Sequence, residues 1–289
     1  GILAGTLLVL YFDVFSRAPW ALALFPGILS VRGAIGGLFS GRLSTALHLG
    51  TVRASYTKNT KDFYLLFHAV VTLTFESSIM IGLVAWLFGL FLWKATLMDC
   101  IAILTVAAAT MGLSIVFISP ITIMVSVLSF RHGLDPDIIV YPVMSTVDDV
   151  LVTVCYLLML NVFFSLSPLW KLLIWLIDSI FLFVVFYTLF KNRKEKIYMK
   201  TIKEFFLTLI SVAFIVNVTG SLLGRIKDVV GRRPEVYTVY PAMIDTVGGV
   251  GSIVGSTATT KLALGLIDSS FSSIKRHSCE IGAPGERPS

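Results

Sequence analysis

The chain has 289 residues, 56% of them hydrophobic and 14% charged, with a mean hydropathy of +0.88 and a formal net charge of +6. A soluble domain is about 45–50% apolar and about 25% charged, so both figures shift toward a membrane protein. They exclude disorder, a nucleic-acid-binding domain and an ordinary soluble enzyme as leading readings, and the length allows about seven or eight crossings.

Residues 1–31 are largely apolar, interrupted by Asp13, Arg17, Pro19 and Pro26. The chain opens inside this run without a Met and shows no cleavable signal peptide, so it reads as a portion of a longer protein. Spans are predicted at roughly 4–30, 33–52, 63–93, 99–130, 137–164, 169–190, 203–225 and 241–267. Those near 32–51 and 243–267 are rich in Gly, Ser and Thr, and read as helices packed inside the protein. The fifth begins Asp135-Pro136-Asp137, which predicts Asp135 as N-cap and Pro136 at the first helical position. Cys100, Cys155 and Cys279 form neither a CxxC pair nor a disulfide framework, and the four histidines carry no zinc spacing.

The most basic stretch, Lys191 to Lys203, is assigned to the cytoplasm by the positive-inside rule. Counting spans backward puts the 53–62 loop and Arg131 on the same side and predicts a cytoplasmic N-terminus. Arg225, Lys227, Arg232 and Arg233 would then be external, against the rule.

An internal repeat is present. PGILSVRGAIGGLFSGRLSTALHLG at 26–50 aligns without a gap on PAMIDTVGGVGSIVGSTATTKLALG at 241–265. Pro26 pairs with Pro241, Gly33 with Gly248, Gly36 with Gly251, Thr45 with Thr260 and Gly50 with Gly265. One connecting span at 169–190 gives the second unit the same orientation as the first, so the repeat is expected to be parallel. The expected organisation is a first unit at 1–165, a connecting helix and basic loop at 166–200, a partial second unit at 201–267 and a polar tail at 268–289. Three spans of the second unit are absent, which points to truncation or to completion by oligomerisation, with a homodimer as the expected partner.

Gly33, Gly37 and Gly41 recur every four residues, and Gly248, Ser252 and Ser256 repeat the pattern. Small residues on one face let helices approach closely in a membrane, and that approach can also bring carbonyls and hydroxyls to a pore. Asp148 and Asp149 stand about three turns into the fifth span, where an ionised carboxylate is costly unless it meets water, a cation or a partner. Glu76 inside the third span and Asp245 in the second Gly-rich helix are further candidate acids. Asp178 reads as an interhelical contact, Arg32 and Arg42 as snorkelling or mouth residues, and His48 as a helix-end residue. Hard oxygen ligands of this kind suit Mg²⁺ or Ca²⁺.

At these residues the chain resembles the MgtE-type magnesium channels, and more closely the tandem-domain solute-carrier magnesium transporters. The matching words are the 26–50 sequence, DPDIIVYPVMSTVDDVLV at 135–152 and PAMIDTVGGVGS at 241–252. The resemblance implies an all-α polytopic membrane protein: a five-helix MgtE-like domain, a connecting helix and the start of a second parallel repeat. It implies transport of a divalent cation, Mg²⁺ above all, across a plasma or inner membrane; an enzyme is not expected, because the sequence shows no nucleophile–base or metal motif. It places the pore acid at Asp149, in the Thr/Ser-rich stretch around Thr146, with Asp148 beside it. Gly33, Gly36, Gly37, Gly248 and Gly251 would line the pore or pack its helices. The family's Gly-Asn pair is absent, because Ala34 follows Gly33. Two rival readings are a non-transporting membrane scaffold and a proton- or sodium-coupled carrier using Glu76 and Asp149.

Overall fold

The computed structural model describes residues 1–56, 58–225, 235–268 and 270. The fold is 85% helical, without a strand among the described residues. The helices are α1 (Ile2–Leu10), α2 (Phe12–Phe15), α3 (Pro19–His48), α4 (Lys61–Leu92), α5 (Leu97–Arg131), α6 (Pro136–Phe163), α7 (Pro168–Asn192), α8 (Lys196–Arg225) and α9 (Glu235–Ala263). Six of them, α3 to α8, are long and apolar enough to cross a membrane. The chain is an all-α polytopic membrane protein.

The first two predicted spans are replaced by a different arrangement. Residues 19–48 form one helix, and the apolar residues before it make two short ones. α1, with nine residues, rises about 14 Å, less than half the hydrocarbon thickness. Pro26 does not end α3, although proline lacks a backbone donor. The Tyr156 hydroxyl donates to the Ala21 carbonyl at 2.7 Å, supplying a bond from α6 just before the proline. The carbonyl that Pro26 leaves without its helical donor is that of Leu22, so this bond braces the residue before it.

The ends follow local chemistry. Asp135 accepts from the Asp137 amide at 2.9 Å and caps α6, with Pro136 at its first position. Thr96 and Asp99 form a reciprocal capping box that starts α5. Gly50 and Gly265, paired in the repeat, follow α3 and α9 with φ of +69° and +71°, a conformation that favours glycine. The basic stretch from Lys191 is helical on both sides of a short turn: α7 runs to Asn192 and α8 resumes at Lys196. Lys227, Arg232 and Arg233 lie outside the described residues.

α3 is the central helix and packs against α4, α5, α6, α8 and α9. It runs antiparallel to α6. Trp20 meets Phe163 and Phe164, Gly36 meets Asp148, and His48 comes near Asp135. α9 packs on α1, α3 and α6. It is less enclosed than its composition suggests, because Met243 and Val247 are 66% and 75% exposed.

The two Gly-rich helices meet at equivalent positions. A side chain added at Gly37 would face Ser252 Oγ at 3.2 Å, and one at Gly41 would face Ser256 Oγ at 3.1 Å. Thr45 and Thr260 hydrogen-bond at 2.8 Å. Each pair is separated by the repeat offset. A constant offset, rather than a constant sum, means that α3 and α9 run parallel with a local two-fold axis between them. The same relation governs their outer neighbours. Gly5 of α1 lies against the Thr238 carbonyl of α9, and its equivalent Gly220 of α8 lies against the Ala23 carbonyl of α3. A Cβ at either glycine would collide with that oxygen.

Candidate ion site

A cavity of about 290 Å³ opens where α3, α6 and α9 meet. α6 contributes Tyr141, Ser145, Asp148 and Asp149, whose spacing places them on one helical face. α3 contributes Ser30, Gly33 and Ala34, and α9 contributes Gly248 and Ser252. The two carboxylates and the hydroxyls thus share one space, with glycine backbone on two walls.

The carboxylates are set differently. Asp148 is 5% exposed, and its Oδ2 occupies the room left by Gly36, where a Cβ would stand 2.9 Å away. The Asp149 side chain is 14% exposed. Both line the cavity although adjacent helical residues diverge by about 100°, because Asp149 borders the open space while Asp148 is tucked against α3.

Residues 25–159 match the family model of the MgtE divalent cation transporters. This segment is an MgtE domain. The comparisons with curated proteins and with solved structures gave no match. The MgtE domain takes in most of α3, all of α4 and α5, and all but the end of α6. It therefore holds both carboxylates, and its family carries divalent cations across membranes. α9 lies beyond the matched segment yet closes the same cavity.

A second cavity of about 350 Å³ continues along the α3–α9 seam, lined by Gly37, Gly41, Arg42, Ser256 and Thr259 among others. Ser252 borders both spaces, so together they follow the seam from the acids of the MgtE domain toward the end of α3. Arg42 stands there, 3.6 Å from Glu204 and donating to Thr201.

The other candidate residues are dispersed. Glu76, on α4, is not among the residues lining the cavity, and its buried Oε2 has no hydrogen-bond partner among the described residues. Thr146 is exposed and its hydroxyl turns to the Pro142 carbonyl at 3.5 Å, while Ser145 takes the place facing the cavity. Gly251 faces open space, unlike its equivalent Gly36. The side chain of Asp245 lies outside the described residues. Asp178, on α7, has a buried Oδ1 without a hydrogen-bond partner among the described residues. Arg32 neither snorkels nor lines a mouth: it is 2% exposed.

Two groups escape a linear reading. Tyr141 and Ser145 fall on the face of Asp148 and Asp149 at helical spacing, a signal available from periodicity. His48, Asp135 and Asp137 bring their ligand atoms within 4.8 Å of one another, although they come from two helices. His48 Nδ1 lies 2.9 Å from the Ser44 carbonyl, Asp135 caps α6, and Asp137 accepts from Ser256. Each member therefore already has a structural partner.

Proposed function

We propose that the chain moves Mg²⁺, with Asp149 as the carboxylate that meets the ion and Asp148 as its neighbour. The observation that carries this reading is the convergence of both acids on one cavity within a divalent cation transporter domain. Six waters at their liquid volume occupy about 180 Å³, so a 290 Å³ cavity has room for an ion that keeps most of its first shell. Mg²⁺ dehydrates reluctantly and is commonly held by one or two carboxylates through water. Ser30, Ser145, Ser252 and Tyr141 supply hydroxyls for that water shell, and the second cavity supplies the continuation toward the basic end of α3.

In this reading the end bearing Lys191 to Lys203 faces the cytoplasm of a plasma or inner membrane. A negative interior then draws the cation inward, by about 2.3 kcal/mol per charge per 100 mV for full crossing. The two-fold relation of α1–α3 to α8–α9 supports a tandem arrangement, in which α8 and α9 begin a second unit.

The test is voltage-driven Mg²⁺ uptake into proteoliposomes containing the chain or its Asp149→Asn variant. Uptake by the chain and its loss in a variant that melts normally are expected. Uptake unchanged in the variant would remove Asp149 from the path. Absence of uptake by folded chain would favour the scaffold reading.

A further inference from the structure

Arg32 is the largest fully buried side chain among the described residues, and its Nε and Nη1 have no hydrogen-bond partner. A buried guanidinium needs an opposite charge or a full set of acceptors. The acid that acts on it is Asp148. This agrees with the helix register. Gly36, one turn beyond Arg32 on α3, touches Asp148 of antiparallel α6. Arg32 is buried beside Asp148 but is not among the residues lining the cavity.

We propose that Arg32 is a resident counter-cation for Asp148 that sets the charge of the ion site. Arg32 offsets the charge of Asp148, and Asp149 is the carboxylate that a passing ion meets. The inference rests on the ion-site reading above. A site carrying two uncompensated carboxylates would hold a divalent ion tightly and release it slowly, whereas conduction needs binding weak enough to leave. Arg32 is a positioning residue in this scheme: it touches no ion and acts by lowering the field of Asp148. The repeat supplies no second copy of it, since position 247 is Val.

The experiment measures Mn²⁺ binding, as a paramagnetic divalent probe displaced by Mg²⁺, to the full chain in nanodiscs, alongside Mg²⁺ flux. Arg32→Met is expected to bind about tenfold more tightly and to conduct several-fold more slowly, as removal of a buried opposing charge requires. Asp148→Asn is expected to weaken binding. Arg32→Met with Asp148→Asn should return affinity to within about twofold of the parent, because the two changes share one interaction. Arg32→Lys should lie nearer the parent than Arg32→Met. Unchanged affinity in folded Arg32→Met, or a loss that Asp148→Asn does not repair, overturns the inference. Should Arg32→Met fail to fold, the double variant decides: folding with parent-like affinity supports the pair, and failure to fold overturns it. Asp149→Asn separates the two levels. Parent-like Mn²⁺ binding by that variant overturns the ion-site assignment and this inference with it. Lost binding there, with no shift in Arg32→Met, overturns the role of Arg32 alone.

Discussion

Thr45 and Thr260 meet hydroxyl to hydroxyl, 2.8 Å apart, at equivalent positions of the two Gly-rich helices. A self-contact of this kind between duplicated elements occurs only on the axis that relates them. It follows Gly41–Ser256 by about one helical turn and Gly37–Ser252 by about two, so the seam is in register over at least two turns. A Cys pair at 45 and 260 should therefore cross-link under mild oxidation, because the two side chains already lie within disulfide reach. A pair at 46 and 260 should not. Mobility on non-reducing gels distinguishes them, and equal cross-linking would contradict the parallel register.

The two outer contacts related by the same axis should respond alike. Gly5→Ala and Gly220→Ala each drive a methyl into a carbonyl of the facing helix, at Thr238 and Ala23. Each should lower stability by about 1–3 kcal/mol, the usual range for overpacking. Gly255→Ala, with nothing within 4 Å, should be neutral or slightly stabilising through helix propensity. Thermal unfolding in detergent compares all three, and the prediction fails if Gly255→Ala is the most damaging.

At Gly36 the expected effect is on transport. An added methyl would stand 2.9 Å from Asp148 Oδ2 and would push that carboxylate from its seat. Mg²⁺ uptake by Gly36→Ala should fall several-fold. Gly251→Ala, the equivalent change into open space, should cost far less. Uptake in proteoliposomes, normalised to folded protein, reads the difference directly.

Tyr156→Phe tests the support of the proline-containing helix. The hydroxyl is fully buried and serves the Ala21 carbonyl. Its loss should reduce stability by about 0.5–1.5 kcal/mol, the net value of one such bond. Limited proteolysis should show whether the loosening is centred on α3. A variant as stable as the parent would mean that the carbonyl is served from elsewhere.

Much of this arrangement is written in local patterns. The Asp135–Pro136 start, the Gly50 and Gly265 ends and the apolar spans each depend on a few neighbouring residues, and each is legible in the chain. The division of residues 4–52 is not, because Pro26 and the surrounding glycines look like an interruption, whereas α3 runs through them. Asp148 and Asp149 stand out because charge inside an apolar run is costly. Thr146 and Ser145 are adjacent and chemically alike, and only the rotation of α6 decides which faces inward. The approach of His48 to Asp135 joins residues far apart in sequence, and no spacing rule announces it.

The unequal residues at 32 and 247 bear on how a duplicated helix ages. The strip of α9 containing Met243 and Val247 is open, whereas the matching Ile28 and Arg32 of α3 are enclosed. An arginine enclosed at 32 needs an acid beside it, whereas valine at 247 makes no such demand. Once two copies of a helix acquire different neighbours, their sequences diverge at the positions that feel the difference most.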